Sequence, residues 1–427
     1  MINFNLPFKN QTIAVALSGG MDSMCLLHVL LSHKEIYGLT IKAINIDHSI
    51  RGEESENDSL FVKNYCEKHG VELKFFKVDA INFSKENKYT LEQGARILRY
   101  QIFNQLLNEN YADKIATAHH LNDNFESVLF NLFRGSGLKG LSGINPCDDK
   151  FIRPLLNVSK EEIKNYVIKN NVPYVEDSTN SQTNYTRNYI RNVLTPLIEE
   201  KFPNAVLAVK RLSDISREEN EFLNELAKSQ IKKDKNGYHI NANTPPVLFK
   251  RAVIITLNLL GLEKDYEKTH AEDVFGLKLL QNGSKITLPK NIITVKEYEQ
   301  ISFYKEKASN KITEIPFALG SYNFKDFTLE ISSSPTKNAL VFDKDKIPKN
   351  AVIRNRKNGD VFTKFGGGTK KLKDFFIDKK IPVIKRDELL VIASGNDVLM
   401  VVGVEISDKI KVDNDTKTLL YAKLNNN

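Results

Sequence analysis

The sequence predicts an α/β protein in three parts. These are an N-terminal parallel sheet with helices on both faces, a mostly helical middle domain and a small α+β domain at the C-terminus. Three observations carry this. Over the first 135 residues, short apolar runs alternate with helical-period segments, which is the mark of βαβ units. From about 200 to 280, charged and apolar residues mix at helical spacing. Near 290 the pattern turns strand-like, with KITLPKNIITV, YNFKDFTLEI, ELLVIAS and VLMVVGVEI separated by Gly and Asn.

The elements follow in order. QTIAVAL (11–17) carries an unbroken apolar run at 13–17, as a strand buried on both faces shows. It ends at Ser18-Gly19-Gly20, and a helix runs from Met21 to Leu31. IKAINI (41–46) is a second strand, 53–69 an acidic-started helix and LKFFKV (73–78) a third strand. Thr90-Leu-Glu-Gln93 has capping-box spacing and opens the next helix. KIATA (114–118) is a fourth strand and 122–133 a fourth helix. Ser159-Lys-Glu-Glu162 opens one more helix. EDSTNSQTNYTRN (176–188) reads as a polar loop that rejoins a helix near Ile190. The expected boundaries are 1–215, 216–310, a linker at 311–344, and 345–427.

Composition bounds the function. A chain of 427 residues implies about three domains. The formal charge is +8, from 61 Lys+Arg against 53 Asp+Glu, which suits a polyanionic partner. Cys25, Cys66 and Cys147 are widely spaced and form no CxxC, which argues against a ribbon zinc site, a cysteine-held iron–sulfur cluster or a thioredoxin-like pair. Sparse, odd cysteines fit a reducing compartment. The N-terminus lacks the build of a secretory signal, and no apolar run reaches the ~20 residues of a membrane span. The expectation is a cytoplasmic protein with no membrane partner.

SGGMDS (18–23) is the strongest local signal. Gly19 and Gly20 let a ligand approach the backbone, and the following helix aims its free N–H groups at it, as a phosphate requires. Ser18 and Ser23 add hydroxyls, Met21 opens the helix, and Asp22 offers the carboxylate oxygen that Mg²⁺ prefers. The loop is neither a Walker A motif nor a GxGxxG dinucleotide turn. An open parallel sheet binds ligands beyond the carboxyl ends of its strands. There strand two brings Asp47 and His48, and strand four brings His119, His120 and Asp123. Arg96 and Arg99 share a helix face and can clamp phosphates, or form only a solvated basic face. Arg134 and Gly135, in RGSG, lie near another predicted loop. Cys25, on an apolar helix face, reads as a core thiol.

These motifs resemble the N-type ATP pyrophosphatases, and the rest of the chain selects among them. NIDHSIR (45–51), ARILRY (95–100), TAHHLNDNFES (117–127), FRGSG (133–137), RPLL (153–156) and EDSTNSQTNYTRNYIR (176–191) resemble, in order, the tRNA(Ile)-lysidine synthase family. RNRKNGDVFTKFGGGTKKLKDFFIDKKIPVIKRD (354–387) is similar to that family's C-terminal domain. Asn45 stands where the family frequently has His, Asn124 where it commonly has Gln, Ser127 where it has Thr and Ser178 where it has Pro.

The resemblance implies a ligase. ATP with Mg²⁺ sits on the 18–23 loop, and the wobble cytidine of the CAU anticodon of tRNA(Ile) is adenylated at C2. Free L-lysine then displaces AMP to leave lysidine. Asp22, Asp123, Arg96, Arg99, His119 and His120 become the catalytic set. Asp22 and Asp123 become the metal ligands, with Asp123 also a candidate base for lysine. The 18–23 loop, Asp47, His48, Arg134 and Gly135 become ATP contacts. The middle domain and the basic C-terminal domain become tRNA-binding. Residues 354–388 hold 11 Lys+Arg and 5 Asp+Glu, so most of the chain's net surplus of +8 lies there. Phe362, Phe365, Phe375 and Phe376 interleave with it and read as core residues rather than base-stacking ones. A tRNA thiolase is the rival within the superfamily. A homodimer is compatible with the sequence but encoded by no motif.

Overall fold

The computed structural model describes every residue except 1, 3–5, 7, 51, 177–185, 263–267, 306–311, 325–326 and 427. Most of the polar stretch read as a loop at 176–188, with Ser178 in it, therefore lies outside the described residues. The chain forms two compact units, Met1–Leu223 and Asn224–Asn427.

In the first unit the order is β1 (Thr12–Ala16), α1 (Met21–Tyr37), β2 (Thr40–Asp47), α2 (Glu53–Lys68), β3 (Glu72–Lys77), α3 (Ala80–Glu86), α4 (Leu91–Asn108), β4 (Lys114–Ala116), α5 (Leu121–Phe133), α6 (Leu138–Leu141), β5 (Phe151–Ile152) and α7 (Lys160–Lys169). α8 (Thr186–Tyr189), a π-turn at Ile190–Leu194, α9 (Thr195–Lys201) and α10 (Ala205–Ser229) follow. The sheet order is β3-β2-β1-β4-β5, and every pair is parallel. The fifth strand and α3 go beyond the elements read from the sequence. β5 has only two residues, and α3 is a seven-residue helix capped by Asp79, which accepts Asn82 N–H at 2.9 Å.

The apolar run of β1 is explained by its place at the centre. Ile13 and Val15 face a core shared with α1, α2 and α7, while Ala14 faces a second core with α4. β2 divides likewise, with Ile41 and Ala43 on one side and Ile44 on the other. Burying each large aliphatic side chain contributes roughly 1.5–3 kcal/mol. The two predicted capping boxes form at Thr90/Gln93 and Ser159/Glu162. α4 sits close on α3, because a Cβ at Gly94 would fall 2.0 Å from Ser84 Oγ. The crossovers leave β1 in one direction to β2 and in the other to β4, so the chain reverses its winding between β1 and β4. That point opens a crevice above the carboxyl ends of these strands.

The second unit continues with β6 (Ile231–Lys233), β7 (Tyr238–Asn241), α11 (Pro246–Leu259), α12 (Lys268–Gly276), β8 (Lys285–Leu288), β9 (Ile292–Glu297) and β10 (Gln300–Lys305). The strands form one antiparallel sheet, β6-β7-β10-β9-β8, with the expected helices packed over it through Phe249, Val253 and Val274. The expected linker at 311–344 is not a linker. Its described residues form β11 (Ile315–Pro316), β12 (Gly320–Asn323), β13 (Phe327–Ser332) and β14 (Leu340–Asp343). Alternating apolar residues such as Leu329 and Ile331 need a buried face, and they find it in the C-terminal core.

That core is completed by β15 (Val352–Asn355), β16 (Val361–Thr363), β17 (Thr369–Lys371), α13 (Leu372–Asp378), α14 (Val383–Arg386), β18 (Leu390–Ser394), β19 (Asp397–Val401), β20 (Glu405–Ile406) and β21 (Leu419–Asn426). A seven-stranded sheet, β11-β15-β18-β19-β16-β17 with β20 on β19, is covered on both faces. Ile392 packs toward the four-stranded sheet β12-β13-β21-β14, and its neighbour Val391 packs toward Phe375 and Phe376 of α13. Phe362, Phe375 and Phe376 are fully buried, as expected, whereas Phe365 is half-exposed. No helix among the described residues is long and apolar enough to cross a membrane.

Candidate active site

A cleft of about 730 Å³ lies at the β1/β4 crevice. From the predicted set it gathers Ser18, Gly20, Met21, Asp22, Ser23, His48, Arg96, Arg99, His119 and Asp123. The geometry of the loop suits an anion. Gly19 has φ +87°, and a Cβ there would press on Val62 and Val175 at 3.2 and 3.3 Å. Its carbonyl accepts Val175 N–H at 2.9 Å, which fixes the turn. Ser23 Oγ lies 3.1 Å from Ser18 Oγ and donates to Gly20 O at 3.0 Å. No side chain caps α1, so its first N–H groups remain available to a ligand at the positive end of the helix.

The two carboxylates converge on one imidazole. His120 Nε2 is 3.8 Å from Asp22 Oδ2 and 3.5 Å from Asp123 Oδ2. His120 Nδ1 accepts the backbone N–H of Asp123 at 3.4 Å, which leaves the proton on Nε2, facing both carboxylates. In return Asp123 Oδ2 accepts His120 N–H at 2.9 Å, a capping box closed by histidine and aspartate. Burial pushes the pKa of His120 down, against the pull of Asp123 and Asp22.

His119 and His48 are also held neutral. Burial takes His119 down to about 4, opposed by Asp123 and assisted by Arg153, Arg96 and Arg99. Burial, and then Arg99, takes His48 to about 4. Arg99 Nη2 is 3.4 Å from His48 Nε2, and since arginine only donates, that nitrogen carries the lone pair. All three imidazoles serve as polar, uncharged groups at neutral pH.

Other predicted residues stand apart. Asp47 is buried and its Oδ1 accepts Ser49 N–H at 2.7 Å, so it shapes the turn that presents His48. Asn45, at the position where His is frequent, donates to Leu17 O at 2.7 Å and ties β2 to the strand below the loop. Arg134 and Gly135 are not cleft residues. They follow the far end of α5, about 17 Å along the axis from Asp123, and the Arg134 guanidinium lies over the Phe130 ring at 5.1 Å. Asn124 is buried and structural: it donates to Ser213 Oγ at 3.0 Å and accepts Ile144 N–H at 2.7 Å.

Sequence reasoning missed the cations. Lys160 Nζ lies 2.6 and 2.8 Å from the two oxygens of Asp22. Arg191 Nη2 donates to Asp123 Oδ1 at 2.8 Å, and its Nε and Nη2 grip buried Glu126 at 2.7 and 2.9 Å. Burial raises the pKa of Glu126, while Arg191 opposes it. Lys164, Asp58, Tyr174 and Glu176 also line the cleft. Ser159-Lys-Glu-Glu162 was legible as a helix start, yet nothing in it points at a residue 138 positions earlier.

Mg²⁺ binds through one or two carboxylates, with water and substrate phosphates filling its shell. Asp22 and Asp123, within 4 Å of one imidazole nitrogen beside a phosphate-type loop, fit that donor set. Cys25 and Cys66 are poor candidates for sulfur chemistry, because burial pushes their thiols up to about 12 and about 11.

Fold and cleft define a PP-loop protein of the ATP-pyrophosphatase class, and residues 1–198 match the model of the PP-loop domain. Residues 351–422 match the TilS substrate C-terminal domain. The tRNA(Ile)-lysidine synthase of Clostridium tetani is 34% identical over 99% of this chain and 96% of its own length. That of Clostridium acetobutylicum is 33% identical over 97% and 96%, and that of Caldanaerobacter subterraneus 34% over 98% and 94%. The chain belongs to the tRNA(Ile)-lysidine synthase family.

Proposed function

We propose that this chain converts the wobble cytidine of the CAU anticodon in tRNA(Ile) to lysidine, using ATP and free L-lysine in the cytoplasm. The observation that carries the reading is the convergence of Asp22 and Asp123 on His120 beside the Gly19-Gly20 loop, in a chain that matches lysidine synthases over nearly its whole length.

In the first step the C2 carbonyl oxygen of cytidine attacks the α-phosphate and pyrophosphate leaves. The open N–H groups of α1 and the guanidiniums of Arg96 and Arg99 offset the charge that develops there. Mg²⁺, held by Asp22 and Asp123, would supply Lewis-acid polarisation of the phosphate oxygens. His120 Nε2 faces the carboxylate pair at 3.8 and 3.5 Å, a neutral polar neighbour of both. Neutral His119 and His48 offer hydrogen bonds without adding charge.

In the second step the ε-amine of lysine attacks C2 and AMP leaves. The amine must first lose a proton, and a carboxylate is the available acceptor. Asp123 stands in the cleft with Glu126 behind it, both held by Arg191. The same acidic pair favours a cationic substrate. The basic segment at 354–388 supports tRNA binding by the C-terminal domain.

The test is incubation of purified protein with ATP, labelled lysine and a set of tRNAs. Label is expected only in tRNA(Ile) bearing CAU, with one pyrophosphate released per lysine. Pyrophosphate released without tRNA, and no label in any tRNA, would overturn the reading. In single turnover, Asp123→Asn should let adenylated tRNA accumulate if Asp123 is the base, and should block adenylation if it is a metal ligand.

A further inference from the structure

Lys160 begins α7, and its backbone N–H donates to Asn122 Oδ1 at 3.0 Å, which pins the start of α7 beside the start of α5. Its ammonium lies in hydrogen-bond contact with both oxygens of Asp22, at 2.6 and 2.8 Å. The side chain is 45% exposed, so it can swing away without disturbing the core. Asp123, the other carboxylate of the pair, is likewise covered by Arg191, but that arginine is anchored on buried Glu126. Lys160 is the movable cation of the two. A lysine ammonium is a compact charge on a flexible stem, and three donors can follow phosphate oxygens as readily as carboxylate oxygens.

We infer that Lys160 is a resident counter-ion that covers Asp22 against divalent cations until nucleotide arrives. It then transfers its ammonium to the phosphates and contacts the departing pyrophosphate. The inference rests on the ATP reading of the cleft and adds a catalytic residue to it. Its consequence is an order of events: metal enters with the nucleotide, not before it, because a bare cation must displace Lys160 first.

The experiment is a Mn²⁺ titration followed by electron paramagnetic resonance on the full chain, needing neither tRNA nor lysine. Without nucleotide, Lys160→Met should bind Mn²⁺ about tenfold more tightly than the unaltered protein, and Lys160→Arg should not. Lys164→Met, which removes the same charge one turn along and in the same cleft, controls for general electrostatics and should change the affinity less than about threefold. Asp22→Asn added to Lys160→Met should abolish the gain. Inorganic pyrophosphate should bind Lys160→Met at least tenfold more weakly. Equal Mn²⁺ affinity for the Lys160→Met and Lys164→Met proteins, or unchanged pyrophosphate affinity, would overturn the inference. A chain that follows this pattern yet never labels tRNA with lysine would sink the lysidine reading alone.

Discussion

The cleft at β1/β4 and the basic segment at 354–388 both concentrate charge, and they handle it in opposite ways. In the cleft the charges converge. Lys160, Asp22, His120, Asp123 and Arg191 form a chain in which each group lies within 4 Å of the next. In the basic segment the charges spread outward and many have partners at the surface: Arg356 on Asp387, Lys364 and Lys370 on Asp378, Lys357 on Glu314, and Lys379 on Glu405. One pair there is buried instead. Arg354 meets Asp360 in a two-pronged bridge at 2.8 and 2.9 Å, and Asp360 also accepts Lys357 N–H at 2.7 Å. Chemistry needs a few charges at fixed distances, whereas grip on a polyanion needs density over a rigid support.

The contrast can be broken most sharply at Asp22. Asp22→Asn should lower adenylation by roughly 10³-fold or more, about 4 kcal/mol, with little change in melting temperature, since the side chain lies in the cleft and outside the apolar core. Wild-type pyrophosphate exchange in that variant would end the assignment. Asp360→Ala should do the reverse. It leaves Arg354 buried without its partner and should cost about 3–5 kcal/mol of stability in the second unit, read as a lower melting temperature while nucleotide binding in the first unit stays intact. A melting temperature within a degree of wild type would contradict this.

Next comes the surface. Reversing Lys371, Lys373 and Lys380 together to Glu should weaken tRNA binding by about 10- to 100-fold and flatten its dependence on salt, because fewer counterions are released. ATP affinity should not move. An unchanged salt slope would show those lysines to be only a solvated face.

The smallest effect is in pH. His48 and His119 titrate near 4 in the folded chain, below the ordinary 6.5. Below 6.5 the unfolded chain takes up protons that the folded one refuses. The stability these groups lend is therefore complete above 6.5 and declines as pH falls toward 4. Solvent at the cleft screens the effect, and on the order of 1 kcal/mol in total is expected. The check is a series of melts from pH 7 to 4.5. The unaltered protein should lose stability faster than a His48→Gln, His119→Gln double variant, and equal slopes would refute a histidine origin.

Deleting residues 350–427 would be a poor probe of tRNA binding. The deletion removes β21, which pairs with both β13 and β14, so it would unmake the core as well as the basic surface. The linker expected at 311–344 concealed this. Short strands such as Gly320–Asn323 carry little periodicity, and the sheet they join is closed by a strand about a hundred residues downstream.

By itself the sequence determined the parallel sheet, the capping boxes, the glycine turn after the first strand and the place of Asp22, His48, His119, His120 and Asp123 at the ends of strands. Each is local, because apolar runs, cap spacing and strand-end glycines act within a few residues of themselves. The tertiary structure decided how those groups are used. It turned Asp47 inward to form a turn, set Arg134 at the far end of α5, and brought Lys160 and Arg191 onto Asp22 and Asp123 from 138 and 68 residues away. Charge pairing acts through space and burial, and neither distance is written in the local pattern of a chain.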